Sequence, residues 1–141
     1  MIHFGIVGTG WRSLFYLRCA RACPDQFRVL GVVSRDPAAK ASLALEFGIE
    51  LVASIDDLLA KGRADFVVSS VPWPANPGVI EALTERGIPV LSETPPATSI
   101  EEMAALFALT TKGARIQVAE QFHLQPLHAA RIALAHSGRF G

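Results

Sequence analysis

The chain carries no excess of either charge: thirteen Lys and Arg balance thirteen Asp and Glu among 141 residues. That balance removes the electrostatic footprint of a protein that grips nucleic acid. No unbroken apolar run reaches the length needed to span a bilayer. The start, Met1-Ile2-His3-Phe4-Gly5, lacks the basic and long apolar regions of a signal peptide. Cysteine is scarce as well. Cys19 and Cys23 are four apart in a helical stretch and not in a CxxC, which reads as two reduced thiols of a cytoplasmic protein and implies no disulfide. His3, His123, His128 and His136 show no metal-ligand spacing together, so no metal is implied. Charged residues make up only 18% of the chain while 50% are hydrophobic, which excludes disorder and predicts a globular protein.

What is present is an alternation of short apolar runs with helical segments, without a linker or low-complexity tract. Ile2 to Val7 reads as a buried strand, and Gly8-Thr9-Gly10 turns into a helix from about Trp11 to Ala22. Arg28 to Ser34 is a second strand, and Asp36-Pro37 opens a helix that Gly48 closes. Glu50 to Val52 is a short strand, followed by a Ser54-capped helix ending at Lys61-Gly62. Phe66 to Val71, β-branched and uncharged, is the clearest central strand. A Pro-rich turn then leads to a helix from about Gly78 to Arg86. Ile88 to Glu93 is the fifth strand, Ser99 with Glu102 forms a capping box for a helix ending at Lys112-Gly113, and Arg115 to Ala119 is the sixth strand. Pro126 opens a last helix, to about residue 137. This alternation requires right-handed crossovers and a parallel sheet covered on both faces, hence a Rossmann-type doubly wound α/β domain occupying residues 1–141.

Gly8-Thr9-Gly10-Trp11-Arg12-Ser13 lies at the junction of the first strand and first helix. Glycine there permits a tight turn and lets backbone N–H groups approach a diphosphate at the helix N-terminus. The third position of such a fingerprint, commonly Gly or Ala, is Ser13, still small enough for close helix–strand packing. A lone GxG is weak, but at the first strand–helix junction of an alternating fold it becomes informative. Trp11 and Arg12 are either an exposed helix start, or a pocket rim and a charge beside the diphosphate. The cofactor is expected to be read at the end of the second strand, where an NAD site places Asp or Glu about twenty residues past the glycines. Here the residues are Ser34-Arg35-Asp36. Ser34 can hydrogen-bond a 2′-phosphate and Arg35 can pair with it, whereas Asp36 beside Pro37 reads as a helix cap. NADP is therefore preferred, with NAD the alternative.

The glycine turn, the Asp36-Pro37 helix ending in Glu46-Phe47-Gly48, the Val71-Pro72 turn and Glu93-Thr94-Pro95 together resemble the N-terminal domain of the Gfo/Idh/MocA oxidoreductases. The segment from Val118 to Pro126 also resembles that family's next strand and turn. The resemblance implies hydride transfer between a nicotinamide cofactor and a sugar-like hydroxyl or carbonyl substrate. It places Ser70, Val71, Pro72, Trp73, Glu93, Thr94 and Gln121 among the cofactor-binding residues, with Gly8, Thr9, Gly10, Trp11, Arg12, Ser34 and Arg35. Glu93 is expected either to accept bonds from a ribose or to orient the following loop.

Thr94 occupies the position of the family's lysine, and threonine is a poor acid or base near neutral pH. Trp73 stands where Asn is common, Asn76 where His is common, and Gln121 and His123 where Asn and Arg are frequent. No catalytic residue is assigned, with His123 a weak candidate. The family builds its substrate pocket on a second domain, and Gly138-Arg139-Phe140-Gly141 resembles the junction to it. This chain is thus expected to lack that C-terminal domain, to engage a small-molecule substrate only with it, and to be inactive alone. The alternative is a non-catalytic dinucleotide-sensing or interaction protein. A weaker one is another Rossmann use, such as CoA or nucleoside binding, with the glycine turn holding a different phosphate.

Overall fold

The computed structural model describes residues 1–139, apart from the side chain of His123; Phe140 and Gly141, the end of the segment resembling a domain junction, lie outside the described residues. Six strands are laid down in chain order: β1 (Ile2–Val7), β2 (Phe27–Val33), β3 (Leu51–Val52), β4 (Phe66–Ser69), β5 (Val90–Ser92) and β6 (Ile116–Val118). Between and after them run α1 (Ser13–Ala22), α2 (Ala41–Phe47), α3 (Ile55–Leu59), α4 (Asn76–Glu85), α5 (Ile100–Thr111) and α6 (Pro126–His136). All pairings are parallel and the order across the sheet is β3-β2-β1-β4-β5-β6. This is the doubly wound Rossmann arrangement. The chain moves outward from β1 to β3, then returns to lay β4 on the other side of β1, so the carboxyl ends of β1 and β4 flank the point where the winding reverses.

The central strands bury both faces because their β-branched and apolar residues alternate sides. Phe4, Ile6, Val32 and Val68 pack with Leu17 and Ala20 of α1 on one face. Val7, Val67 and Val90 pack with Leu58, Ile80, Leu83 and Leu106 of α3, α4 and α5 on the other. Each fully buried aliphatic side chain contributes about 1.5–3 kcal/mol relative to exposure. Phe4 stacks on Phe66 with ring centroids 5.2 Å apart, across the β1–β4 pair. Gly5 and Gly31 lie opposite one another on β1 and β2, where the register shifts. A Cβ on Gly5 would stand 2.5 Å from Leu58 Cδ2, so the missing side chains form the notch that Leu58 fills.

Caps follow the sequence closely. Ser54 Oγ accepts from the Asp57 amide, and Gly48 closes α2 in the left-handed region at φ 62°. Ser99 and Glu102 form the expected capping box, with Glu102 also accepting from the Thr98 amide at 2.8 Å. Boundaries differ where local geometry overrides the pattern. α1 begins at Ser13 because residues 10–12 form a turn. The second helical segment is split, since Lys40 leaves helical angles between a 3-10 turn at Ala38–Lys40 and α2. α4 starts at Asn76, two residues early, because Pro77 is tolerated in a first turn and a 3-10 turn at Trp73–Ala75 leads into it. β4, β5 and β6 are each shorter than their apolar runs. α6 contributes no buried residue. No described helix is long and apolar enough to cross a membrane.

Candidate functional site

At the switch point, Gly8 leaves β1 with φ 110°, and a Cβ there would stand 2.1 Å from the Ser70 carbonyl oxygen at the end of β4. Only glycine lets the loop come this close to β4. The Ser13 hydroxyl, fully buried, donates to the Gly8 carbonyl at 2.9 Å and pins the loop to the first turn of α1. Ser13 therefore does more than stay small. Gly10 is different in kind: a Cβ there would meet nothing within 4 Å, so the space above it is open. Among the described residues the amides of Thr9, Gly10, Trp11 and Arg12 donate to no protein acceptor, and α1 has no side-chain cap at its start. Four donors at a helix N-terminus, beside open space, suit a diphosphate. Trp11 is 67% exposed and packs edge-on against Phe15.

The other wall of the crevice is the end of β5. Glu93 is only 8% exposed, and its two carboxylate oxygens are held by the N-cap and the first turn of α1. Arg12 Nε donates to one at 2.8 Å and the Tyr16 hydroxyl donates to the other at 2.5 Å. Burial, together with the bond to the Glu93 carboxylate, pushes the Tyr16 phenol well above its ordinary range, so it is a fixed neutral donor. The Arg12 guanidinium also lies over the Trp11 ring, 5.2 Å from its centroid.

Beneath these groups lies a polar network that the residue types alone do not reveal. Asn76, 2% exposed at the start of α4, accepts from the Ser69 hydroxyl at 2.6 Å. Its amide nitrogen donates to Ser92 Oγ at 2.9 Å, to the Pro95 carbonyl at 3.2 Å and to the Glu93 carbonyl at 3.3 Å. One side chain thus ties the ends of β4 and β5 to the loop that carries Thr94. Among the described residues no buried side-chain polar atom lacks a partner. The Thr94–Pro95 bond is cis.

The expected site residues fall along one edge of the sheet. Gly8, Thr9, Gly10, Trp11 and Arg12 follow β1; Ser34 and Arg35 follow β2; Ser70, Val71, Pro72 and Trp73 follow β4; Glu93 and Thr94 follow β5. Ser34 is buried and its amide is taken by the Val52 carbonyl, while Arg35 is exposed. Asp36 caps the next turn, its Oδ1 accepting from the Ala39 amide at 3.0 Å. Trp73 is 60% exposed, so neither tryptophan belongs to the core. Gln121 is exposed and opens a 3-10 turn beyond β6, Gln121–Leu124, which also contains the backbone of His123; the His123 side chain lies outside what the structure describes. Among the described residues no cluster of His, Cys, Asp or Glu is arranged to hold a metal ion. Sequence reasoning passed over Tyr16. The signal available was its spacing from Arg12, four residues on, which puts both on one face of α1.

Strand order, glycine loop and switch-point crevice define a dinucleotide-binding Rossmann domain. A family model described as the oxidoreductase family with an NAD-binding Rossmann fold matches residues 2–122. The chain belongs to this family, Gfo/Idh/MocA, as an NAD-binding domain. Myo-inositol dehydrogenase Hyg17 of Streptomyces leeuwenhoekii is 34% identical over 138 residues, covering 96% of this chain and 42% of that protein. D-xylose 1-dehydrogenase (NADP(+)) 2 of Haloferax volcanii is 30% identical over 142 residues, with 96% and 42% covered. Among solved structures, the WlbA dehydrogenase of Chromobacterium violaceum, in complex with NADH and UDP-GlcNAcA, matches with a TM-score of 0.88 at 26% identity. That match covers 99% of this chain and 41% of the other. The chain spans about two-fifths of the length of these relatives.

Proposed function

We propose that residues 1–141 form the cofactor-holding domain of a cytoplasmic oxidoreductase that prefers NADP(H) to NAD(H). Joined to a second domain bearing the substrate pocket, it serves hydride transfer between the nicotinamide and a sugar-like hydroxyl or carbonyl compound. The observation that carries this reading is the open space at Gly10 together with the amides of residues 9–12, which have no protein acceptor, at the N-terminus of α1. A diphosphate there takes up donors that the fold leaves without partners.

Arg12 sets a positive charge beside that position, and its guanidinium is oriented by Glu93. Ser34 and Arg35 are the residues for the adenosine 2′-phosphate. The exposure of Arg35, with Asp36 committed to a cap, supports the NADP preference. Ser70, Val71, Pro72 and Trp73 border the crevice on the β4 side, and Thr94 and Gln121 border it on the β5–β6 side. A bound nicotinamide supplies the hydride donor or acceptor; the chain's own part is to bind, orient and exclude water. Thr94 supplies no acid or base near neutral pH, so that group comes from the second domain or from His123.

Fluorescence titration of the chain with NADPH and NADH tests the reading. Saturable binding with tighter NADPH is expected, and no affinity for either cofactor removes it. Thr94 favours a second reading, a dinucleotide sensor without turnover. Cofactor binding with no reduction of NADP by the full-length protein across polyols and aldoses would select that alternative.

A further inference from the structure

We propose that Glu93 is a positioning residue, a latch by which Arg12 and Tyr16 of the diphosphate-binding helix hold the nicotinamide-side loop in register, and not a ribose ligand. This rests on the dinucleotide reading given above. A ribose ligand needs a carboxylate open to the crevice. Glu93 instead is buried, its Oε2 taken by Arg12 and its Oε1 by Tyr16. Arg12 is the N-cap of α1, at the end of the loop whose amides lack protein partners, and Tyr16 sits on the first turn of that helix. On the far side, the Glu93 backbone carbonyl is held by Asn76 and Ser92, and the Pro95 carbonyl by Asn76. The segment from Glu93 to Pro95 is therefore fixed from two directions. The side-chain direction runs straight to the helix that meets the cofactor's phosphates.

The charge arrangement agrees. Among the described residues the terminal nitrogens of Arg12 donate no hydrogen bond, while its Nε is engaged by Glu93. Glu93 thus aims the guanidinium without occupying the two nitrogens that suit an oxyanion. A phosphate that engages Arg12 acts, through this carboxylate, on the segment carrying Thr94. Tyr16 has no role toward the cofactor in this arrangement except through Glu93, which makes it the informative position.

The test uses the whole chain with Tyr16→Phe, Glu93→Gln and the double variant. Each is titrated with NADPH and with 2′-phosphoadenosine 5′-diphosphate, which carries the phosphates but lacks the nicotinamide ribose. The emission of bound NADPH is recorded as the report on the nicotinamide's surroundings. A latch predicts that Tyr16→Phe weakens NADPH about three- to tenfold, less than the full worth of a hydrogen bond to a charged group because the effect reaches the cofactor only through Glu93. It also alters bound-NADPH emission and changes the phosphate fragment less than about twofold, and the double variant is no worse than the poorer single one. Wild-type behaviour of Tyr16→Phe, with only Glu93→Gln weakening NADPH, makes Glu93 a ribose ligand and overturns the proposal. Equal weakening of both ligands with unchanged emission also overturns it, as general loosening of α1.

A readout without cofactor separates this from failure of the dinucleotide reading. Tyr16 is the only tyrosine of the chain, so its ionisation is followed by ultraviolet absorbance. The latch predicts a phenol that resists ionisation until the protein unfolds, and that ionises at lower pH in Glu93→Gln. An ordinary phenol in the wild type shows that the contact does not form. An intact latch with no NADPH binding by the wild type refutes the dinucleotide reading, and the coupling to a cofactor with it.

Discussion

Gly8 and Gly10, two residues apart, are expected to fail in opposite ways when each is replaced by alanine. In Gly8→Ala the new methyl would lie 2.1 Å from the Ser70 carbonyl oxygen, a backbone atom fixed within the sheet by the Ser70 amide's bond to Val7. The φ of 110° adds strain that an L side chain rarely tolerates. Backbone strain of about 1–3 kcal/mol and overpacking of similar size together give roughly 2–6 kcal/mol. That is a large fraction of the about 5–15 kcal/mol that holds a domain together. The melting midpoint should fall by roughly 10–20 °C for a chain of this length. In Gly10→Ala the methyl meets no atom beyond its chain neighbours within 4 Å, and φ lies outside the left-handed region. Stability should therefore change by less than about 1 kcal/mol, and it rises if chain entropy dominates. NADPH affinity should nevertheless fall about 10- to 100-fold, because the methyl stands where the diphosphate would reach its charge-assisted amide bonds. Thermal unfolding without cofactor and fluorescence titration with NADPH check both halves. Wild-type NADPH affinity in Gly10→Ala would show that the diphosphate is not held there, and an unimpaired melting midpoint in Gly8→Ala would refute the packing argument.

Three further outcomes follow from the same geometry. Arg35→Ala should weaken NADPH by about 1–3 kcal/mol while leaving NADH nearly unchanged; equal losses in a paired titration mean that Arg35 does not read the 2′-phosphate. Asn76→Ala removes the acceptor of the buried Ser69 hydroxyl and the donor to Pro95, so chemical denaturation should register about 2–4 kcal/mol of lost stability. The Tyr16 phenol is raised in the folded state, by burial first and the Glu93 bond second. Its contribution is complete below the ordinary phenol value of 10.0 and is lost as pH climbs beyond it, because the unfolded chain ionises first. The stability of the wild type should therefore decline above that pH more steeply than that of Tyr16→Phe.

The alternating architecture was readable because each segment declares its type locally. The charge-free run at Phe66 to Val71 marks a central strand, and Asp36-Pro37 and Ser99 with Glu102 mark helix starts. The glycine turn was readable for the same reason: both glycines and the helix they precede are contiguous. Strand ends were overrun because apolar residues continue past the last ladder bond, as at Ile88 and Val71. The deeper construction of the crevice was not readable. Tyr16 and Glu93 are 77 positions apart, and nothing in either neighbourhood announces the other. Asn76 sat in a Pro-rich turn and looked like a departure from a family pattern, yet it supplies the interior polar tie between β4 and β5. Such roles depend on which strands become neighbours, a property of the assembled sheet.

The notch made by Gly5 and Gly31 bears on how the molecule opens. α3 is five residues long, far short of what holds a helix in water by itself. It stays in place because Leu58, with no exposed surface, rests against the bared backbone of β1 and β2. A helix seated in that way has little reason to fray independently. The Leu58 amide proton, bonded to the Ser54 carbonyl, should exchange with solvent only when the central strands part, so this small element reports on the deepest-lying event in the molecule.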